Sequence, residues 1–135
     1  MRLNQTRARY YRILFLIGGI WNIGASLGLE MLVLLDSSAW ELFGMAVPPS
    51  LFFFHMMMGF IFILGIGYIV ISGNINENRA LAILGGVVGR LMVFGGSAIT
   101  VSLGQAKPIL LVLTTIDLLL AILAIGLLYS VRKVK

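Results

Sequence analysis

Five polar side chains, Asn22, Glu30, His55, Arg90 and Asp117, lie inside long apolar runs, and any chemistry this chain performs must draw on them. Arg90 stands almost at the centre of the run 80–103. In the middle of a bilayer an arginine costs roughly 2.5 to 3.5 kcal/mol, so it must face protein and find a counter-charge or carbonyls. Asp117, inside the next apolar run, is the expected partner.

Depth can be counted from the cytoplasmic end of each run at about 1.5 Å per residue. Asn22 and Arg90 then lie roughly 15 Å deep and Asp117 roughly 20 Å, a gap that the long arginine side chain covers. Glu30 and His55 share a second layer roughly 25 to 27 Å in, near the far surface. The inner layer has a plain reading, an Arg90–Asp117 pair whose remaining hydrogen bonds Asn22 completes and which fixes helix register. Its functional reading is an anion held by Arg90, such as a lipid phosphate or carboxylate, or proton exchange at Asp117. In the outer layer, Glu30 and His55 could act as a proton acceptor, as half of a divalent metal site, or as a hydrogen-bonded clasp.

Several chemistries find no support in these residues. Zinc ordinarily takes at least three protein ligands, so Glu30 and His55 make no metal site. His55 beside the methionines 56–58 is a pattern of packing more often than of haem ligation, and no cofactor is expected. Ser26 and Ser97 have no histidine at their depth, which leaves no nucleophile and base and no expected catalytic residue. The Gly-Gly-Val-Val-Gly-Arg segment lacks the strand context and Lys-Ser/Thr ending of a phosphate-binding loop. The chain has no cysteine, which removes disulfides, iron–sulfur clusters and thiol relays.

The elements that must position these groups are membrane spans. Of 135 residues, 60% are hydrophobic and 11% charged, and the mean hydropathy is +1.06, values that a soluble domain of this length would not tolerate. The patterning predicts an all-α, integral membrane four-helix bundle in a single domain, with spans over 13–35, 51–72, 80–103 and 108–130. The first run is too long for the apolar core of a cleavable signal and carries no A-x-A pattern, so it reads as a retained span. Gly18, Asn22, Ser26 and Glu30 recur every four residues along it as a protein-facing stripe, and Gly24 and Gly28 offer a second close approach, within the bundle or between copies.

Between spans 1 and 2, the segment 36–50 is read as a short interfacial helix, with Ser38-x-x-Glu41 as its capping box and Trp40, Phe43 and Met45 as its apolar side. Pro48 and Pro49 stop it. His55, Gly59 and Ile63 form the expected inward stripe of span 2, and Asn78 is placed to cap span 3. Ala82, Gly86, Gly89, Val93, Gly96 and Thr100 give span 3 a groove of small residues. Gly104 and Pro108 mark a tight turn into span 4. Tyr10, Tyr11, Trp40, Tyr68 and Tyr129 fall near span ends, where aromatic belts belong, and Trp21 lies deep as packing.

Lysines and arginines outside the spans fall eight to one side (Arg2, Arg7, Arg9, Arg12, Arg79, Arg132, Lys133, Lys135) against Lys107 alone on the other. The positive-inside rule then makes this a multi-pass cell-membrane protein with both termini cytoplasmic. The formal charge of +5 finds its partner in anionic lipid headgroups at both termini and not in nucleic acid.

At Gly65-Ile-Gly-Tyr68, and from Asn78-Arg-Ala-Leu-Ala-Ile-Leu-Gly85 to Gly89-Arg90, the chain resembles a loose group of small prokaryotic four-helix membrane proteins, broadly DoxX-like and mostly uncharacterised. The likeness covers spans 1 to 3. In that group a basic residue, often lysine, follows the Gly-x-x-Gly at the place of Arg90, and a proline often stands in the loop before span 3, which this chain lacks. The resemblance implies a four-helix fold and a role for Arg90, but no activity. The expected function is that of a non-enzymatic accessory or interaction subunit, working as a homo-oligomer or with a membrane-protein partner. The alternative is a small proton-linked transporter or carrier acting as a homo-oligomer.

Overall fold

The computed structural model describes residues 5–47, 49–75 and 77–132, with side chains over 9–126. Arg2, Pro48, Lys133 and Lys135 lie outside the described residues, as do the side chains of Arg7, Tyr129 and Arg132. Every regular element described is helical: α1 (Gln5–Leu35), a 3-10 helix (Ser37–Phe43), α2 (Phe52–Gly73), α3 (Arg79–Ser102) and α4 (Ile109–Arg132). The four long helices are each apolar and long enough to cross a membrane.

Helices α1 and α2 form one closely packed hairpin, and α3 and α4 form the other. The first hairpin closes where Gly19 and Gly65 bring two backbones together. A methyl group on Gly19 would lie 2.7 Å from the Gly65 carbonyl oxygen, and one on Gly65 would lie 2.9 Å from that of Gly19. Small residues permit such an approach, and close packing is what holds helices together where lipid already solvates apolar groups. Gly24 and Gly28, expected to serve a second approach, have no atom within 4 Å of where a Cβ would stand. The close crossing uses Gly19 instead, because α2 meets the adjoining face of α1.

The inner face of α2 runs through Phe54, Met58, Ile61, Gly65, Tyr68 and Ser72, alternating steps of four and three as one side of a helix requires. The expected His55–Gly59–Ile63 stripe is therefore not the inward one. Ile63 is 63% exposed, Gly59 stands open, and His55 sits at the margin of the true face. Tyr11, Phe15, Tyr68, Ile71, Ile75 and Ala82 make a buried cluster at one end of the molecule. Two tyrosines expected in an aromatic belt, Tyr11 and Tyr68, are thus core residues.

Helix α3 is not uniform. Its first turn, Arg79–Ile83, leads into a π-helical stretch, Leu84–Gly89, before regular α-helix resumes over Arg90–Ser102. The cause lies in the glycines. Phe15 packs against Gly86 and Tyr68 against Gly85, so closely that a Cβ would fall 2.7 Å and 2.8 Å from the respective rings. A widened turn at such a point re-aims the residues that follow it. The expected straight groove of small residues is accordingly used only in part. Ala82 and Gly86 are buried, whereas Gly96 meets no neighbour.

Two local caps also differ from expectation. Asp36, not Ser38, caps the 3-10 helix by accepting from the Ser38 backbone N–H at 2.9 Å. Asn78 precedes α3 but spends its side-chain amide on the Asn74 carbonyl, at 2.9 Å. The turn at Gly104 (φ 71°) does end α3 as expected, since glycine takes the left-handed conformation without strain.

Candidate functional site

Arg90 follows the π-helical stretch directly and is 5% exposed. Its Nη1 donates to Asp117 Oδ1 on α4. The guanidinium carbon stands 5.0 Å from the centroid of the Tyr68 ring, in cation–π range. Gly18 on α1 supplies the remaining wall, and a Cβ there would collide with the guanidinium. The structure thus brings Arg90 and Asp117 together as the sequence predicts, and adds Tyr68 and Gly18. Tyr68 was legible in the alternating spacing along α2, but its place near the end of an apolar run suggests an interface instead.

Asn22, expected to complete this layer, makes no side-chain hydrogen bond to Arg90 or Asp117 among the described residues. One turn along from Gly18, it lines a cleft that it shares with Asp117.

The cleft has a volume of about 440 Å³ and draws its walls from all four long helices and the 3-10 helix. Trp21, Leu29, Met58, Val93 and Leu113 typify the lining, and Asn22, Asp117 and Thr114 are its polar members near the Arg90 layer. Thr114 donates to Leu110 O of its own helix at 3.1 Å, which leaves its hydroxyl oxygen free to accept. Arg90 is not part of the lining and Asp117 is, so of the two partners it is Asp117 that borders the cleft. Beside Arg90 lies a void of about 10 Å³, walled by Phe15, Gly86 and Leu120. That is room for one water at most. That void has no space for an anion held directly by Arg90, the functional reading from sequence.

The far end of the cleft is closed by the 3-10 helix. Ala39 is buried, Trp40 meets Phe54 edge-on at 5.0 Å, and Phe43 and Met45 face the cleft. The apolar side expected to lie on the membrane surface is turned inward. Lys107 in the α3–α4 turn fastens this cover, its backbone N–H donating to Phe43 O at 2.6 Å and its Nζ to Glu41 O at 2.9 Å.

Glu30 and His55 also meet, Nδ1 to Oε1 at 2.6 Å, at the edge of the α1–α2 interface. Their side chains keep 26% and 38% exposure. The Phe54 ring stands edge-on to the imidazole at 5.8 Å. Among the described residues no group of three or more His, Cys, Asp or Glu could hold a metal ion. Protein-family models, curated proteins and solved structures offer no match to the chain.

Proposed function

We propose that this chain is a multi-pass integral membrane protein, a four-helix bundle with both termini cytoplasmic, that works without catalysis as a lipid-binding accessory subunit. The observation that carries this reading is the cleft: about 440 Å³ of largely apolar space that ends on an ion-paired carboxylate. Pockets of this size, apolar with a few convergent polar groups, are the usual form of small-molecule sites. The outer surface supports the membrane setting. Phe53 is 79% exposed, Met92 71% and Val112 67%, the reverse of a water-facing surface. The resemblance to DoxX-like membrane proteins points the same way.

A photoactivatable alkyl probe in reconstituted membranes tests the reading. Labelling should concentrate on peptides containing Trp21–Gly28 side chains and Leu110–Asp117 side chains, and Gly28→Leu should abolish it there. Gly28 lines the cleft and has open space where a side chain would grow, so leucine fills the site without a clash. Labelling spread evenly over all four helices, unchanged by Gly28→Leu, would refute it. The second reading, a proton-linked carrier, rests on the Glu30–His55 contact. It requires substrate flux in proteoliposomes that follows a pH gradient and is lost in Glu30→Gln.

A further inference from the structure

We infer that the cleft selects a neutral, single-chain lipid whose headgroup is a hydroxyl, such as a long-chain alcohol or a monoacylglycerol. This rests on the reading of the cleft as a lipid site and adds the chemistry of what enters it. Three observations carry the inference.

The first is electrostatic. Arg90 and Asp117 neutralise one another, and their side chains are 6% and 15% exposed. A ligand carrying either charge into this apolar space would add an uncompensated ion, an expensive burial. A carboxylate or phosphate would in addition stand beside a residue of like charge, Asp117. Arg90 cannot answer it, being enclosed by Asp117, Tyr68 and Gly18 outside the cleft wall.

The second is the hydrogen-bond inventory. Asp117 accepts from Arg90 at Oδ1, which leaves its carboxylate with further accepting capacity. Asn22 carries an amide with two N–H donors and one carbonyl on the same cleft. A hydroxyl is the smallest group that satisfies both, its O–H donating to Asp117 and its oxygen accepting from Asn22 Nδ2. An ester, ether or plain hydrocarbon end cannot donate and leaves the carboxylate unanswered.

The third is size. A methylene group fills about as much space as a water molecule, roughly 30 Å³ in the liquid, so the cleft accommodates on the order of fifteen chain carbons. That is enough for one chain. From Asn22 to Val33 along α1, both of which line it, the helical rise gives about 16 Å for the chain to lie along, up to the cover formed by Trp40.

The two tryptophans of the chain, Trp21 and Trp40, both line the cleft, so their fluorescence reports occupancy. The probes are chain-brominated quenchers of equal length titrated into the purified protein in micelles: an alcohol, a carboxylic acid, a quaternary ammonium and the methyl ester of the acid. The alcohol should quench at about tenfold lower concentration than the other three, the ratio carried by a hydrogen bond to a charged acceptor. Asn22→Leu should reduce that preference while quenching by the ester persists, and Gly28→Leu should remove saturable quenching by all four. Equal quenching by all four probes, still removed by Gly28→Leu, would overturn the hydroxyl assignment and leave the lipid cleft standing. Quenching by every probe that Gly28→Leu does not alter would overturn both.

Discussion

Arg90 and Asp117 make a test in which the sign alone decides. With Arg90 5% exposed, Arg90→Met leaves the Asp117 carboxylate without its counter-charge in an apolar site. Breaking one side of a buried pair costs about 3 to 5 kcal/mol. The cation–π contact with Tyr68 goes too, about 0.5 to 2 kcal/mol more. Asp117→Leu strands the guanidinium between Tyr68 and Gly18 at a similar cost. In Arg90→Met combined with Asp117→Leu no charge remains, and only the contact with Tyr68 and some loss of fit persist, about 1 to 2 kcal/mol. The double variant should therefore be more stable than either single one. Reversible unfolding in mixed micelles, titrated with a denaturing detergent, measures all four proteins. A double variant less stable than both singles would mean that the two side chains do not act as a pair, whatever their proximity.

Gly19→Ala should destabilise by about 1 to 3 kcal/mol in the same titration, because its methyl group meets the Gly65 backbone. Gly24→Ala, with nothing nearby, should be neutral or stabilising by up to about 1 kcal/mol, and equal effects at the two sites would refute the crossing. For topology, a reporter fused after Lys135 should behave as cytoplasmic and one inserted within 36–50 as external; the reverse outcome removes the proposed orientation. Hydrogen bonds from the Ser38 hydroxyl and backbone N–H hold the Asp36 carboxyl below the usual range near 3.9. A depressed folded value means that the cap contributes fully above the unfolded value and is lost as pH falls through the folded one. Protection of the Ser37–Phe43 amides, taken relative to the intrinsic exchange rate at each pH, should therefore be high near neutrality and fall only in strong acid, whereas Asp36→Ala should show low protection throughout; a segment indifferent to both changes would show that Asp36 is no cap.

What the sequence disclosed depended on whether a feature is set by one helix or by several. Depth counting along single helices was enough to pair Arg90 with Asp117 and Glu30 with His55, because rise per residue is nearly constant and long side chains absorb the error. Helical phase was enough, in principle, for the inner face of α2, since Phe54 through Ser72 keep the period without a break. At Tyr68 two signals conflict, since phase places it on the inner face and nearness to the end of an apolar run places it at the interface. The π-helical turn was not legible, because it arises from Phe15 and Tyr68 pressing on Gly86 and Gly85 from two other helices. Asn22 was assigned to the right layer but the wrong partner, for an amide one turn from Gly18 can face either the ion pair or the space beside it.

That space has a cause that unites these details. On one side of the Arg90 layer, aromatic rings and glycines fill the interior, with Tyr11, Phe15 and Tyr68 packed against Ala82 and the widened turn of α3. On the other side α3 continues as Arg90–Ser102, packed along α4. The cleft lies between α3 and α1, where Val93 is the contribution of α3 to the lining. Arg90 belongs to the packed half, behind the cleft wall, and it gives Asp117 a different character from a lone buried acid. Paired with the guanidinium, the Asp117 carboxylate is held in place as an acceptor. Register and recognition are then one device: the pair that locks α3 to α4 also makes the floor of the cleft complementary to a hydroxyl.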